Sequence, residues 1–156
     1  MPTVTLSFLL SQLGAHAAEQ FTRLLEPVGL RPQDAGLLRM LIAQPGMTQI
    51  EVSEKFGVLP SRLVVLLDNL EKRQLIERRR DTTDRRLIHV FPTADGKRAG
   101  EVIVEITRAL EAKLFSALSE TEQRALEAAL QKVVDDQQLP AGVHPAFRKF
   151  DEGRST

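Results

Sequence analysis

The run Pro60-Ser61-Arg62-Leu63-Val64-Val65-Leu66-Leu67-Asp68-Asn69-Leu70-Glu71-Lys72 decides the fold. Leu63, Leu66, Leu67 and Leu70 recur at helical spacing, and Pro60 suits a first helical position, so a helix is expected from Pro60 to about Arg73. Ser61, Arg62, Val65 and Asn69 fall off the leucine stripe, where they are offered to a partner. Upstream, Thr48 and Glu51 form a capping-box pattern for a short helix, Gln49 to Phe56. Gly57 can supply the left-handed turn out of that helix, and Gly57-Val58-Leu59 joins the pair. Downstream, Leu75–Arg80 and Arg86–Phe91 read as two short strands around a polar tip, Asp81-Thr82-Thr83-Asp84-Arg85.

A helix-turn-helix followed by a basic hairpin describes a winged helix, a shape that lays one helix in a major groove and reaches sideways with the wing. The expected class is mainly α with a small β-hairpin wing, combined with a helical dimerisation region. Charge is distributed accordingly. The whole chain is formally neutral, but residues 61–98 hold ten Lys/Arg against six Asp/Glu, whereas residues 99–139 hold four against eight. A basic middle and an acidic rear suit a molecule that turns one face to phosphate.

Composition excludes several function classes. With 156 residues, 42% hydrophobic and 27% charged, the chain can bury a real core. The absence of Cys removes disulfides, thiolate metal sites and thiol redox switching. The absence of Trp and Tyr argues against a single-strand binder that stacks bases. His16, His89 and His144 have no ligand-like spacing to carboxylates, so no metal or other cofactor is expected. No Gly-rich phosphate loop or nucleophilic triad appears, so the expectation is not an enzyme. No apolar run approaches the roughly 18 residues of a membrane span, and no signal-peptide pattern opens the chain, which makes the cytoplasm the expected compartment.

Around the central stretch the chain divides into four expected segments. Residues 1–30 form an N-terminal helix of the dimerisation region, with Leu6, Leu9, Leu10, Leu13, Ala17, Phe21, Leu24 and Leu25 in a broad stripe. Residues 31–96 form the winged helix-turn-helix lobe, beginning with a helix from Pro32 to about Ala43. Residues 97–139 form long C-terminal dimerisation helices. The first of these carries a stripe from Ala99 to Leu118, and a Ser119/Glu122 capping box opens the second. Residues 140–156 are a tail whose Phe147 and Phe150 suggest docking.

These residues resemble the MarR family of bacterial winged-helix transcription regulators. The most specific part is Leu70-Glu71-Lys72, then Leu75-Ile76-Glu77-Arg78, then Asp84-Arg85-Arg86, then Thr93 and Gly96. The resemblance implies a homodimer on a pseudo-palindromic double-stranded operator, with two recognition helices in successive major grooves about 34 Å apart. It also implies a repressor that leaves DNA when a small ligand, often an aromatic acid, binds.

By the same resemblance, Ser61 and Arg62 lie at the start of the recognition helix, Arg86 is the wing arginine, and Asp84 steadies the wing. Arg78 packs inside the lobe, and Arg79, Arg80 and Arg85 complete the basic wing beside DNA. His16 and Arg39 are the candidate effector contacts. The chain departs from the family at Val64 and Val65, where polar residues are common, at Gln74, where Gly is usual, and at Pro92, which replaces Leu. Val65 remains compatible with contact to a thymine methyl. The two valines also motivate an alternative reading, a winged-helix module that binds protein and not a specific DNA.

Overall fold

A computed structural model describes residues 4–144 and 147. The described chain runs α1 (Leu6–Leu25), α2 (Pro32–Ala43), α3 (Gln49–Phe56), α4 (Pro60–Lys72), β1 (Ile76–Arg80), β2 (Ile88–Pro92), α5 (Ala94–Leu114) and α6 (Glu120–Asp136). It falls into two compact units. Residues 4–32 with Ile103–Leu139 form a helical unit, and Gln33–Val102 with residues 140–144 and 147 form a lobe. The lobe therefore takes the first turns of α5, up to Val102, and the start of the C-terminal tail.

The lobe closes around a core of Leu37, Leu38 and Leu41 from α2, Val52 and Phe56 from α3, and Leu63, Leu66, Leu67 and Leu70 from α4. Ile76 and Val90 bring the hairpin into the same buried set. Fully burying each such side chain contributes roughly 1.5–3 kcal/mol, and this apolar set holds the short helices in place. The ends of α3 are chemically fixed. Thr48 and Glu51 make both halves of the capping box, and Gly57 takes φ 73° while its N–H donates to the Ser53 carbonyl. The Ser53 hydroxyl donates to the Val58 carbonyl at 2.6 Å, which ties down the turn into α4.

The strands pair antiparallel, with Ile76 opposite Pro92, Arg78 opposite Val90 and Arg80 opposite Ile88. At the base of the hairpin, Gln74 occupies the left-handed region at φ 59°, a conformation that favours glycine. The start of α5 is fastened to that same turn. The Thr93 hydroxyl donates to the Gln74 carbonyl at 2.6 Å and the Thr93 N–H donates to the Leu75 carbonyl at 3.1 Å. Gly96 fits beneath them because a Cβ there would lie 1.9 Å from the Leu75 carbonyl oxygen. The tail returns to the lobe at Phe147, whose ring stacks on Phe56 at a centroid distance of 5.7 Å. Phe150 lies outside the described residues.

In the helical unit, Thr5 caps α1 by accepting from the Phe8 N–H, and a 3-10 turn at Glu26–Val28 with Gly29 at φ 66° ends it. Helix α5 stops at Leu114, four residues short of the end of its apolar stripe. The cause is local: the Gln123 amide donates to the Phe115 and Leu118 carbonyls, and the Ser119/Glu122 box starts α6 immediately afterwards. The Lys113 ammonium reaches Gln20 at 3.5 Å, which links α5 to α1 within this unit. No residue of α6 is buried, and Leu6, Leu9, Leu10 and Leu13 of α1 are exposed in the single chain.

Candidate nucleic-acid interface

The outward side of α4 follows from where its leucines point. With Leu63, Leu66, Leu67 and Leu70 inward, Ser61, Val64, Val65, Asp68, Asn69 and Lys72 are exposed. Arg62 is half-buried, and its guanidinium donates to the Gln33 amide oxygen at 3.3 Å. Ser61, Val65 and Asn69 share one row, four residues apart, along the surface of the helix.

Arg78 joins the hairpin to α4. Its Nη2 lies 2.6 Å from a Glu71 carboxylate oxygen and 2.5 Å from an Asp68 carboxylate oxygen, and its Nε donates to Glu71 at 3.0 Å. The side chain is only 21% exposed, and these bonds lower the Glu71 carboxyl below its usual range. Arg78 therefore serves to hold the wing at a fixed angle to α4. Arg79 lies over the Phe91 ring and pairs with Glu77. Arg80 and Arg85 are exposed, and among the described residues neither makes an ion pair.

The wing tip is built on Asp81, a residue that the reading of the sequence did not single out. Its Oδ1 accepts from the Thr83 N–H, the Thr83 hydroxyl and the Asp84 N–H at 2.7–2.9 Å. These donors hold its carboxyl well below the usual carboxylate range. Its Oδ2 lies 2.9 Å from His89 Nε2, and His89 Nδ1 lies 2.8 Å from the Gly46 carbonyl oxygen. Both partners are acceptors, so this geometry asks His89 to donate from both ring nitrogens, which only the imidazolium can do. The His89 pKa is raised above 6.5 by the Gly46 carbonyl first and the Asp81 carboxylate second.

The same stitching continues along the backbone. The Gly46 N–H donates to the Val90 carbonyl, the Val90 N–H donates to the Met47 carbonyl, and Thr48 bridges to His89. The wing is thereby fastened to the approach to α3. Asp84 steadies the tip from its other side. Its carboxylate accepts from Arg86 Nε and Nη2 at 3.0 Å each, leaving the Arg86 side chain 90% exposed.

Two further residues singled out from the sequence lie elsewhere. His16 is exposed on α1 of the helical unit and Arg39 is exposed on α2 of the lobe. Asp81 carried a local signal, since an Asp two residues before a Thr favours a side-chain-capped turn. His89 carried none, because its carbonyl partner lies 43 residues away.

A profile described as MarR family matches residues 28–87, the stretch from the turn after α1 through β1 and the tip of the hairpin, ending just before β2. The chain belongs to the MarR family. It is 27% identical over 131 residues to the HTH-type transcriptional repressor Rv2887 of Mycobacterium tuberculosis, spanning 84% of this chain and 94% of that protein. The S. aureus MepR–DNA complex superimposes with a TM-score of 0.70 at 27% identity, covering 85% of this chain and 98% of that one. Rv2887 in complex with salicylic acid superimposes with a TM-score of 0.67 at 26% identity, covering 85% and 98%. The winged-helix architecture expected for a MarR chain is the one observed: six helices and one two-stranded hairpin among the described residues. Among those residues, no helix is long and apolar enough to cross a membrane.

Proposed function

We propose that this MarR-family protein is a homodimeric, sequence-specific regulator of transcription that binds double-stranded DNA, acting as a repressor on a pseudo-palindromic operator. The observation that carries the reading is that α4 and the wing, tied together by Arg78, both expose side chains that the lobe core does not use. Ser61, Val65 and Asn69 line the helix, while Arg79, Arg80, Arg85 and Arg86 are exposed on the hairpin, which Arg78 fixes to α4. A helix fits the major groove, and an exposed arginine at a hairpin tip fits the negative potential of the minor groove. The DNA complex of MepR supports the assignment.

The exposed leucines of α1 and the unburied α6 support a second copy as the partner, since one chain leaves them in water. Release by a small acidic ligand is supported by the salicylic acid complex of Rv2887, with His16 and Arg39 as contacts to be tested one at a time.

Gel retardation with the DNA upstream of the protein's own gene tests this reading. Native protein should retard it in a saturable, sequence-preferring way, and Arg86→Ala should weaken that binding. Full affinity in Arg86→Ala would remove the wing's role, and failure to retard any duplex at low salt would favour a protein-binding module.

A further inference from the structure

We infer that Val65, with Val64 beside it, reads thymine through its C5 methyl group, so that each operator half-site carries thymine beneath the middle of α4. The inference rests on the DNA-binding reading above. It begins with what the outward face of α4 lacks. The Arg62 guanidinium is turned to Gln33, and the Asp68 carboxylate is taken by Arg78. Between Ser61 and Asn69, the exposed side chains that no neighbouring residue engages are the two valines, Val64 at 39% and Val65 at 53% exposure. Both are β-branched residues, which a helix disfavours unless packing compensates them, and neither joins the lobe core.

The chemistry of the groove selects the partner. The major-groove edge of a G·C pair presents N7 and O6 acceptors and an N4 donor. A valine pressed on that edge would strip water from those groups and return no hydrogen bond. The thymine methyl is the largest apolar group that a base pair displays there, so it gains most from contact with an isopropyl side chain. Ser61 and Asn69 sit one helical turn on either side of Val65. They span about 12 Å along the helix, or roughly three base-pair steps, and can hydrogen-bond the neighbouring bases. Phosphate attraction comes from the exposed wing arginines, so the apolar centre need not supply it.

Removal of single methyl groups from the DNA tests the inference. The full-length protein would first select its preferred duplex from a pool with a randomised segment. Each thymine in the selected half-site would then be replaced by deoxyuridine, which deletes only the methyl. Native protein should lose about fourfold in affinity at one or two central positions, the factor expected for one buried methyl-sized group. Val65→Ala should bind more weakly and be indifferent to uracil at one of those positions, whereas Ser61→Ala should keep the uracil penalty. Val65 is exposed, so its variant should keep the native thermal midpoint. Selected sites without central thymine, or uracil tolerated everywhere by native protein, would overturn the inference and leave DNA binding intact. Retention of the uracil penalty at every position in both Val65→Ala and Val64→Ala would do the same. No duplex selected at low salt would overturn the DNA-binding reading itself, and this inference with it.

Discussion

The lobe and the helical unit solve opposite problems. The lobe finishes its own core: twelve apolar side chains from α2, α3, α4 and the hairpin are at most 2% exposed, and its turns are closed by side-chain caps. The helical unit leaves its apolar surface open, with Leu6 at 85% exposure on α1 and no buried residue on α6. One unit is complete within a chain and the other is half of something. The difference teaches that order in the lobe rests on local caps and packing, whereas the apolar faces of α1 and α6 stay open to the second copy proposed above.

Breaking the unfinished half should have the largest effect. Leu9→Glu combined with Leu13→Glu places two carboxylates on the exposed stripe of α1. Light scattering should then report a monomer. Operator affinity should fall on the order of 100-fold or more, because two linked lobes lose their shared engagement. A dimer of unchanged thermal midpoint would show that α1 lies outside the interface.

Within the lobe, Gly96→Ala should cost about 3 kcal/mol in a urea titration, since the new Cβ meets the Leu75 carbonyl, a backbone atom with little freedom to yield. Dimer mass should persist while the lobe loosens, which separates the two units. An unchanged urea midpoint would mean that the α5 start can slide away from β1.

Gln74→Gly should act in the opposite direction. Relief of the left-handed strain at φ 59° should stabilise the lobe by about 1 kcal/mol, with no change in dimer mass. Loss of stability would show that the Gln74 side chain contributes more than its backbone costs.

The smallest effect is expected from pH. The Gly46 carbonyl and the Asp81 carboxylate favour the charged form of His89 and raise its pKa, with Glu51 adding attraction from α3. Its folded pKa lies above the unfolded value, so its stabilisation is fully present below about pH 6.5 and is lost as pH rises through the folded pKa. Urea midpoints should therefore decline across that window in native protein and stay level in His89→Gln. Parallel pH profiles in the two proteins would dismiss the ring as the link between wing and lobe.

Much of this was legible in the residues because its causes are local. Capping boxes at Thr48 and Ser119, the glycine turn at Gly57 and the leucine spacing of α4 each announce their element within a few positions. Gln74 could be read as a departure from glycine, and its positive φ follows from the same turn. The Ala99–Leu118 stripe overstated α5, because apolar spacing cannot show that Gln123 will take the carbonyls at that helix end. The wing tip was only partly legible. The pairing of Asp84 with Arg86 is local, whereas the path from Asp81 through His89 to Gly46 needs the hairpin folded against the approach to α3.

The central claim, that α4 and the wing form a DNA-binding face presented twice, is tested most directly by measuring affinity for a selected operator across a salt series. If about 6–10 phosphates are neutralised, log affinity should fall against log salt with a slope near −5 to −9, with clear preference over unrelated duplex. A slope near zero, or equal affinity for operator and unrelated sequence, would contradict it.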